Sequence, residues 1–76
     1  MKPLIEFVAK SLVDTPDDVQ VHVLDRDQAT VFELEVAQAD LGKIIGRQGR
    51  TARAIRTLLS AAGQKKRRRY ILDILD

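Results

Sequence analysis

Residues 42 to 55 read GKIIGRQGRTARAI, and within them Gly46 and Gly49 are separated by two polar residues. Glycine lets the backbone turn sharply and carries no Cβ that would hold a partner at a distance. A sugar-phosphate chain can therefore approach the main chain here, while Arg47 and Gln48 are free to project outward as phosphate or sugar contacts. The pattern predicts a loop that binds a phosphodiester backbone.

Apolar residues on both sides of this loop predict two helices. The short helix before it contains Leu41, Ile44 and Ile45, with Asp40 placed to stabilise its N-terminus. The helix after it is predicted to end at Gly63 and has its apolar stripe at Ala52, Ile55, Leu58, Leu59 and Ala62. This second helix begins near Arg50, so its free N–H groups point at the loop, and Arg50 and Arg53 extend the positive rim.

The residues before this region predict a helix followed by a β-hairpin. Residues 4 to 13 carry apolar side chains at helical spacing, and the proline of the segment Asp14–Asp18 ends that helix. Two alternating runs follow, joined by a polar turn at residues 25–28; their apolar positions are Val19, Val21 and Val23, then Thr30, Phe32, Leu34 and Val36. Residues 70–75 form a last strand, and both phenylalanines, Phe7 and Phe32, are expected in the core. The predicted order is helix, strand, strand, helix, helix, strand, in one domain spanning residues 1–76.

Charge is strongly segregated along the chain, although the net charge is only +2. Ten of the thirteen Lys and Arg residues lie in residues 41–72, which contain no Asp or Glu; the remainder has three basic and eleven acidic residues. Such asymmetry favours a polyanionic partner on one part of the surface. The densest basic run, residues 65–69, is interpreted as a solvated segment that adds long-range attraction.

Several functional classes find little support in the sequence. There is no cysteine, and the single histidine, His22, has no partner at a catalytic or metal-ligand spacing. The glycine loop lacks the Gly-Lys-Ser/Thr ending of a nucleotide-binding P-loop. We therefore expect no enzyme, no metal and no cofactor, and a soluble, cytoplasmic protein, because no long apolar run is present and Glu6 interrupts the N-terminal apolar residues.

The stretch from Gly42 to Ile55 resembles the core motif of KH domains, in which an apolar pair precedes G-x-x-G and an apolar position follows in the next helix. The length of the chain and the run GKIIGRQGRTARAIRTLL are similar to the KhpA (YlqC-like) family of small bacterial RNA-binding proteins. The resemblance covers essentially the whole chain. It implies an α+β fold, a type II KH domain (α-β-β-α-α-β) in which a three-stranded sheet carries three helices on one face.

The resemblance also implies a function and a set of contacts. KH modules clamp about four unpaired nucleotides, with the backbone at the G-x-x-G loop. The residues expected at the RNA are Lys43, Ile45, Gly46, Arg47, Gln48, Gly49, Arg50 and Arg53. Ile44 and Ile45 are expected to contribute to the floor of the groove that holds the bases, with core packing as their main role. A post-transcriptional regulator or RNA chaperone is the expected role. Members of this family are also expected to form homodimers, or heterodimers with KhpB-like (Jag/EloR) RNA-binding proteins.

Two alternatives remain open at this point. Residues 41 to 59 also fit two helices joined by a glycine-containing turn, as in helix-turn-helix DNA-binding proteins. The chain could equally use the KH fold as a protein-interaction module with weak affinity for RNA.

Overall fold

The alternating residues 19–35 form the antiparallel hairpin that their pattern predicts. In the computed structural model, which describes residues 1–76, strand β1 (Gln20–Asp25) pairs with β2 (Ala29–Glu35) in a register that places Val21 opposite Leu34. Thr30, Phe32 and Leu34 are buried, while the residues between them are more exposed. One face of the hairpin is therefore covered and the other is open to solvent.

The last strand, β3 (Arg69–Ile74), joins the sheet on the other side of β2 and runs parallel to it. The strand order is β1-β2-β3, so β2 is central and both β1 and β3 are edge strands. Parallel neighbours need a long crossover connection. The segment with the two glycines provides that crossover, and the glycine loop is therefore carried on the helical layer.

Three helices form that layer: α1 (Lys2–Leu12), α2 (Leu41–Ile45) and α3 (Arg50–Lys65). Single turns of 3₁₀ helix occur at Pro16–Asp18, Gln38–Asp40 and Arg47–Gly49. The predicted α+β class and the order α-β-β-α-α-β are confirmed. None of the helices has the length and apolar character needed to cross a lipid bilayer.

One core joins the helices to the covered face of the sheet. Every helix contributes to it, as does every strand, and its buried members are Ile5, Ala9, Val13, Val19, Val21, Phe32, Leu34, Ile44, Ile55, Leu59 and Leu72. The rings of Phe32 and Tyr70 meet edge to face at 5.5 Å between centroids, and this contact joins β2 to β3. Ile44 and Ile55 anchor the helices on each side of the glycine loop to this core.

Several residues at predicted apolar positions are exposed in the structure, Phe7 and Leu58 most of all. Phe7 is 70% exposed because it lies two residues, or about 200°, from the buried Ile5 on the surface of α1. Leu58 is 57% exposed because it lies beside the buried stripe of α3 rather than on it, and Val23 is 41% exposed near the turn of an edge strand. The prediction for Phe7 was wrong, whereas Phe32 is buried as expected.

Helix α3 does not end at Gly63, as the glycine suggested, but continues to Lys65. Gly63 is buried, and a Cβ at this position would lie 2.3 Å from the carbonyl oxygen of Arg68. The glycine therefore allows β3 to pass close to the last turn of α3. It is a site of close backbone approach, not a helix terminator.

Asp40 lies at the N-cap of α2, as predicted, but its side chain makes no capping hydrogen bond there. Its carboxylate is buried and accepts hydrogen bonds from the N–H groups of Asp14, at 3.3 Å, and Thr15, at 3.0 Å. The Lys43 ammonium lies 3.6 Å from it and also pairs with Asp14. Asp40 therefore ties the chain just after α1 to the start of α2.

The pKa of Asp40 reflects these contacts. Burial alone would raise the pKa, but the hydrogen bonds from Asp14 and Thr15 and the charge of Lys43 outweigh it and hold the pKa below the ordinary value of 3.8. The hydrogen bond to Asp14 outweighs desolvation in the same way and raises the pKa of Lys43 above its ordinary value of 10.5. Both groups are therefore charged at neutral pH.

We predict that Asp40→Asn lowers the free energy of unfolding at neutral pH, and that its difference from the wild type shrinks as the pH falls below 3.8. A carboxylate with a lowered pKa stabilises the fold above its ordinary pKa, and this stabilisation is lost as the pH falls through the lowered value. Lys43 stays charged throughout that range. Urea unfolding at a series of pH values measures the difference.

The matched control is Asp17→Asn, which removes an exposed carboxylate with no ion pair. It should follow the wild type at every pH. A difference between wild type and Asp40→Asn that stays constant from neutral pH to below 3.8 would contradict the assignment.

Candidate nucleic-acid interface

The first glycine of the loop occupies a conformation that other residues avoid. Gly46 has φ 78° and ψ 170°, a combination found essentially only for glycine. A Cβ at Gly46 would also lie 2.3 Å from Oγ1 and 2.8 Å from the backbone N of Thr51, in the first turn of α3. The loop therefore folds back onto α3, and only a hydrogen atom fits between them.

The second glycine differs from the first because its surroundings are open. Gly49 has φ 73° and ψ 15°, and no atom lies within 4 Å of the position of an added Cβ. Gln48, just before it, also has a positive φ of 57°. Two successive left-handed residues turn the chain into α3 and leave bare backbone facing solvent at Gly49.

The N-terminus of α3 adds a positive electrostatic potential at the same place. Gly49 is the residue before the helix, no side chain caps the first turn, and that turn contains no acidic residue. The N–H of Arg50 donates to the carbonyl oxygen of Arg47, and the N–H groups that follow it in the first turn of this sixteen-residue helix have no side-chain cap. Such a terminus favours anions, phosphate among them.

Three arginines surround this terminus. The side chain of Arg47 is exposed and makes no hydrogen bond or ion pair within the chain. Arg50 and Arg53 donate long hydrogen bonds to Gln48, to its side-chain oxygen at 3.4 Å and its carbonyl oxygen at 3.5 Å. None of the three charges is neutralised by a carboxylate, so the rim is positive as predicted.

A groove of about 440 Å³ opens beside the loop, between α3 and the end of β3. Four of its eight lining residues are hydrophobic; the lining consists of Leu41, Ile45, Gly49, Ala52, Arg53, Arg56, Ile74 and Asp76. Ile45 is 40% exposed there, whereas its neighbour Ile44 is buried in the core. The groove combines apolar walls with arginine donors, a combination that suits flat heterocycles.

The structure brings together seven of the eight residues predicted at the RNA: the four loop residues, Ile45, Arg50 and Arg53. The ammonium of Lys43 points elsewhere, toward Asp14 and Asp40, and those carboxylates offset its charge. Direct contact between Lys43 and RNA stays a prediction. In the structure, the contacts of Lys43 hold α2 in place.

Arg56 and Ile74 line the groove, but sequence reasoning did not select them. Helical spacing gave a signal for Arg56, because it follows Arg53 by three residues and Gly49 by seven, on one face of α3. Ile74 gave no such signal. The position of β3 beside α3 is a feature of the tertiary structure, and no pattern in the sequence around Ile74 indicates it.

The basic run at residues 65–69 lies at the opposite end of α3, about 24 Å of helix from the loop. Arg68 is turned inward and donates to Thr30 Oγ1 at 2.6 Å, Arg26 O at 2.8 Å and Ala29 O at 3.0 Å, so it holds the hairpin turn. A wide depression of about 860 Å³ beside it has one hydrophobic lining residue, Tyr70. The smaller groove at the loop is better suited to bases.

A three-stranded sheet in the order β1-β2-β3, with a G-x-x-G loop between α2 and α3, defines a KH domain of the type II arrangement. Comparison with known proteins agrees with this class: the sequence model of the family described as "KhpA/KhpB, KH domain" matches residues 2–74. The chain belongs to this KhpA/KhpB family of KH domains.

Proteins similar to the chain along its whole length carry the name RNA-binding protein KhpA. The protein from Borreliella burgdorferi is 58% identical over 73 residues, which cover 96% of this chain and 89% of that protein. The protein from Clostridium acetobutylicum is 51% identical, and the match covers 99% of this chain and all of that protein. The protein from Halalkalibacterium halodurans is 50% identical, and the match covers both chains completely. No solved structure matches the chain.

We predict that Gly46→Ala and Gly49→Ala destabilise the fold to different degrees, although both glycines have positive φ. Gly49→Ala meets open space and costs only backbone strain, about 1 kcal/mol. Gly46→Ala adds a collision with Thr51, so it should cost about 3 kcal/mol or more. Urea unfolding of the two variants measures the difference, and equal losses would contradict the close approach of Thr51.

Proposed function

We propose that the protein binds single-stranded RNA, with the sugar-phosphate backbone on residues 46–49 and the bases in the adjoining groove. One observation carries this proposal: bare backbone at Gly49, the uncapped N-terminus of α3 and three unneutralised arginines converge at the mouth of a half-apolar groove. A KH domain of this kind holds about four nucleotides. The similar proteins from other bacteria carry names that state RNA binding.

The geometry supports a single strand over duplex DNA. A helix-turn-helix protein inserts a helix into the major groove and reads bases from side chains of that helix. Here α2 has only five residues, and α3 packs along β3 with its N-terminus at the loop. Unpaired bases can turn into the groove beside the loop, whereas the bases of a duplex are stacked within it.

We propose a role in binding rather than in catalysis, since the names of the similar proteins state RNA binding. No group of three His, Cys, Asp or Glu side chains is arranged to hold a metal ion. A clamp on the RNA backbone with one small groove has little capacity for sequence selection, and this suits an RNA chaperone or a post-transcriptional regulator with many targets. We place this activity in the cytoplasm, where bacterial RNA is found.

We predict that replacing Arg47 and Gln48 together with Asp weakens binding to a pool of random octaribonucleotides at least about tenfold. The two carboxylates would face the phosphates, and the loss of a phosphate contact should reduce the slope of log affinity against log salt by about 1. Fluorescence anisotropy at several salt concentrations measures both quantities.

The hairpin turn supplies a matched control, because Arg26 and Gln28 are the same two residue types at the opposite end of α3. The double change of Arg26 and Gln28 to Asp alters the net charge equally but leaves the loop intact. It should retain far more affinity than the loop variant. Equal losses in the two variants would show that overall charge, and not the loop, determines binding.

We propose also that α3 takes part in self-association or in pairing with a KhpB-like RNA-binding protein. Ala54, Leu58 and Ala61 are exposed at helical spacing on α3, away from both the core and the groove. Leu58 is 57% exposed. Small side chains around an exposed leucine let a second helix approach closely, and a helical partner would bury this stripe.

We predict that Leu58→Glu shifts the protein toward the monomer in sedimentation experiments over a range of concentrations. A carboxylate buried at an apolar contact is costly without a partner charge. Gln64→Glu, which makes the same charge change at an exposed position of α3 outside this stripe, is the control. A monomeric wild type that also fails to bind a KhpB-like protein would contradict the proposed contact.

A further inference from the structure

The free edge of β3 reaches the groove at Ile74 and presents backbone groups that no neighbouring strand pairs. Arg69 N–H donates to Gln28 O and Leu75 N–H to Leu34 O, so the odd-numbered residues of β3 face β2. In a parallel ladder alternate residues face the neighbouring strand. The N–H and C=O groups of Leu72 therefore point away from the sheet, at an edge with no further strand.

Arg56 reaches across the groove to this edge. Its Nε donates to the carbonyl oxygen of Leu72 at 3.4 Å and its Nη2 donates to the same oxygen at 3.5 Å. Both contacts are long and therefore weak, but they show which donors of the guanidinium face Leu72. No carboxylate lies within ion-pair distance of Arg56.

Two of the three remaining N–H donors of Arg56 form a matched pair. Arginine has five N–H donors in a rigid planar fork. Those on the side of Nε and Nη2 face Leu72, which leaves one N–H of Nη1 and one of Nη2 side by side at the tip. This pair has no partner in the protein and belongs to a side chain that lines the groove. It can donate to two acceptors that lie next to each other.

Building on the proposed RNA binding, we infer that Arg56 is the base-reading residue of the groove and selects bases with two adjacent acceptors. Guanine has such a pair in O6 and N7, and cytosine has one in N3 and O2. In adenine the N6 amino group, a donor, lies beside both N1 and N7. In uracil the N3–H donor lies between the acceptors O2 and O4. Neither base therefore offers two adjacent acceptors at these positions. Arg56 therefore favours G and C over A and U in the clamped segment.

Binding of four octaribonucleotides tests this inference: all-A, all-U, all-C, and all-A with one central G. We expect the wild type to bind the C and G oligonucleotides at least about fivefold more tightly than the other two, as one bidentate contact allows. Arg56→Lys keeps the charge but loses the fork, so the ratio of C to A affinity should fall toward one. Arg26→Lys, at the hairpin turn, should keep the wild-type ratio.

The other results separate this inference from the proposed function. Two results would overturn base reading while leaving RNA binding intact. The wild type could bind all four RNAs with equal affinity, or Arg56→Lys could weaken the binding of all four alike. Either result would show that Arg56 contacts only the phosphates. A wild type that binds none of the four would overturn the proposed function itself. Matching circular dichroism and melting of the two lysine variants and the wild type excludes misfolding as the cause.

Discussion

The buried carboxylate of Asp40 determines where the glycine loop lies. Helix α2 has only five residues, too few to be stable without outside contacts. Asp40 supplies such contacts at its start by binding the two N–H groups that follow α1, and Lys43 closes the same cluster one turn later. With its start tied in this way and Ile44 in the core, α2 delivers the chain to Gly46 at a defined position. The position of the candidate interface therefore depends on the contacts of Asp40, which lie outside that interface.

After Gly46, the conformation of the loop is set by two requirements: close packing against α3, and backbone angles that most residues avoid. The chain must reverse tightly enough for Thr51 to lie against Gly46, and it does so with positive φ at Gly46, Gln48 and Gly49. Gln48 has a Cβ and so holds a conformation that costs free energy. The core contacts of Ile44 and Ile55 on each side maintain it. As a result the backbone at Gly49 and the first turn of α3 are uncovered in one place, where we propose that a phosphate binds.

Much of this arrangement could be predicted because local patterns determine it. Period-two alternation located β1 and β2, and the G-x-x-G spacing located the loop between helices. Two errors arose where a residue contacts another part of the fold, and one arose where residue type was weighed above helical phase. Gly63 accommodates the backbone of Arg68, where the chain enters β3. Asp40 binds N–H groups twenty-six and twenty-five residues earlier. Phe7 was judged by its residue type rather than by its phase on α1. Arg56 was missed for a similar reason, because its position in the groove depends on β3, which lies beside α3 only in the folded structure.

The two faces of the domain differ in charge, and this limits where a polyanion can bind. On the open face of the sheet, Glu33 of β2 lies directly opposite Asp73 of β3, and Glu35 lies on the same face two residues along. Like charges placed opposite each other weaken strand pairing. The same arrangement repels phosphates from the sheet, while the unneutralised arginines at the loop attract them. A chain with a net charge of only +2 can thus direct RNA to one side. The segregation seen along the sequence becomes a segregation in space because the acidic strands and the basic helix α3 lie in different layers.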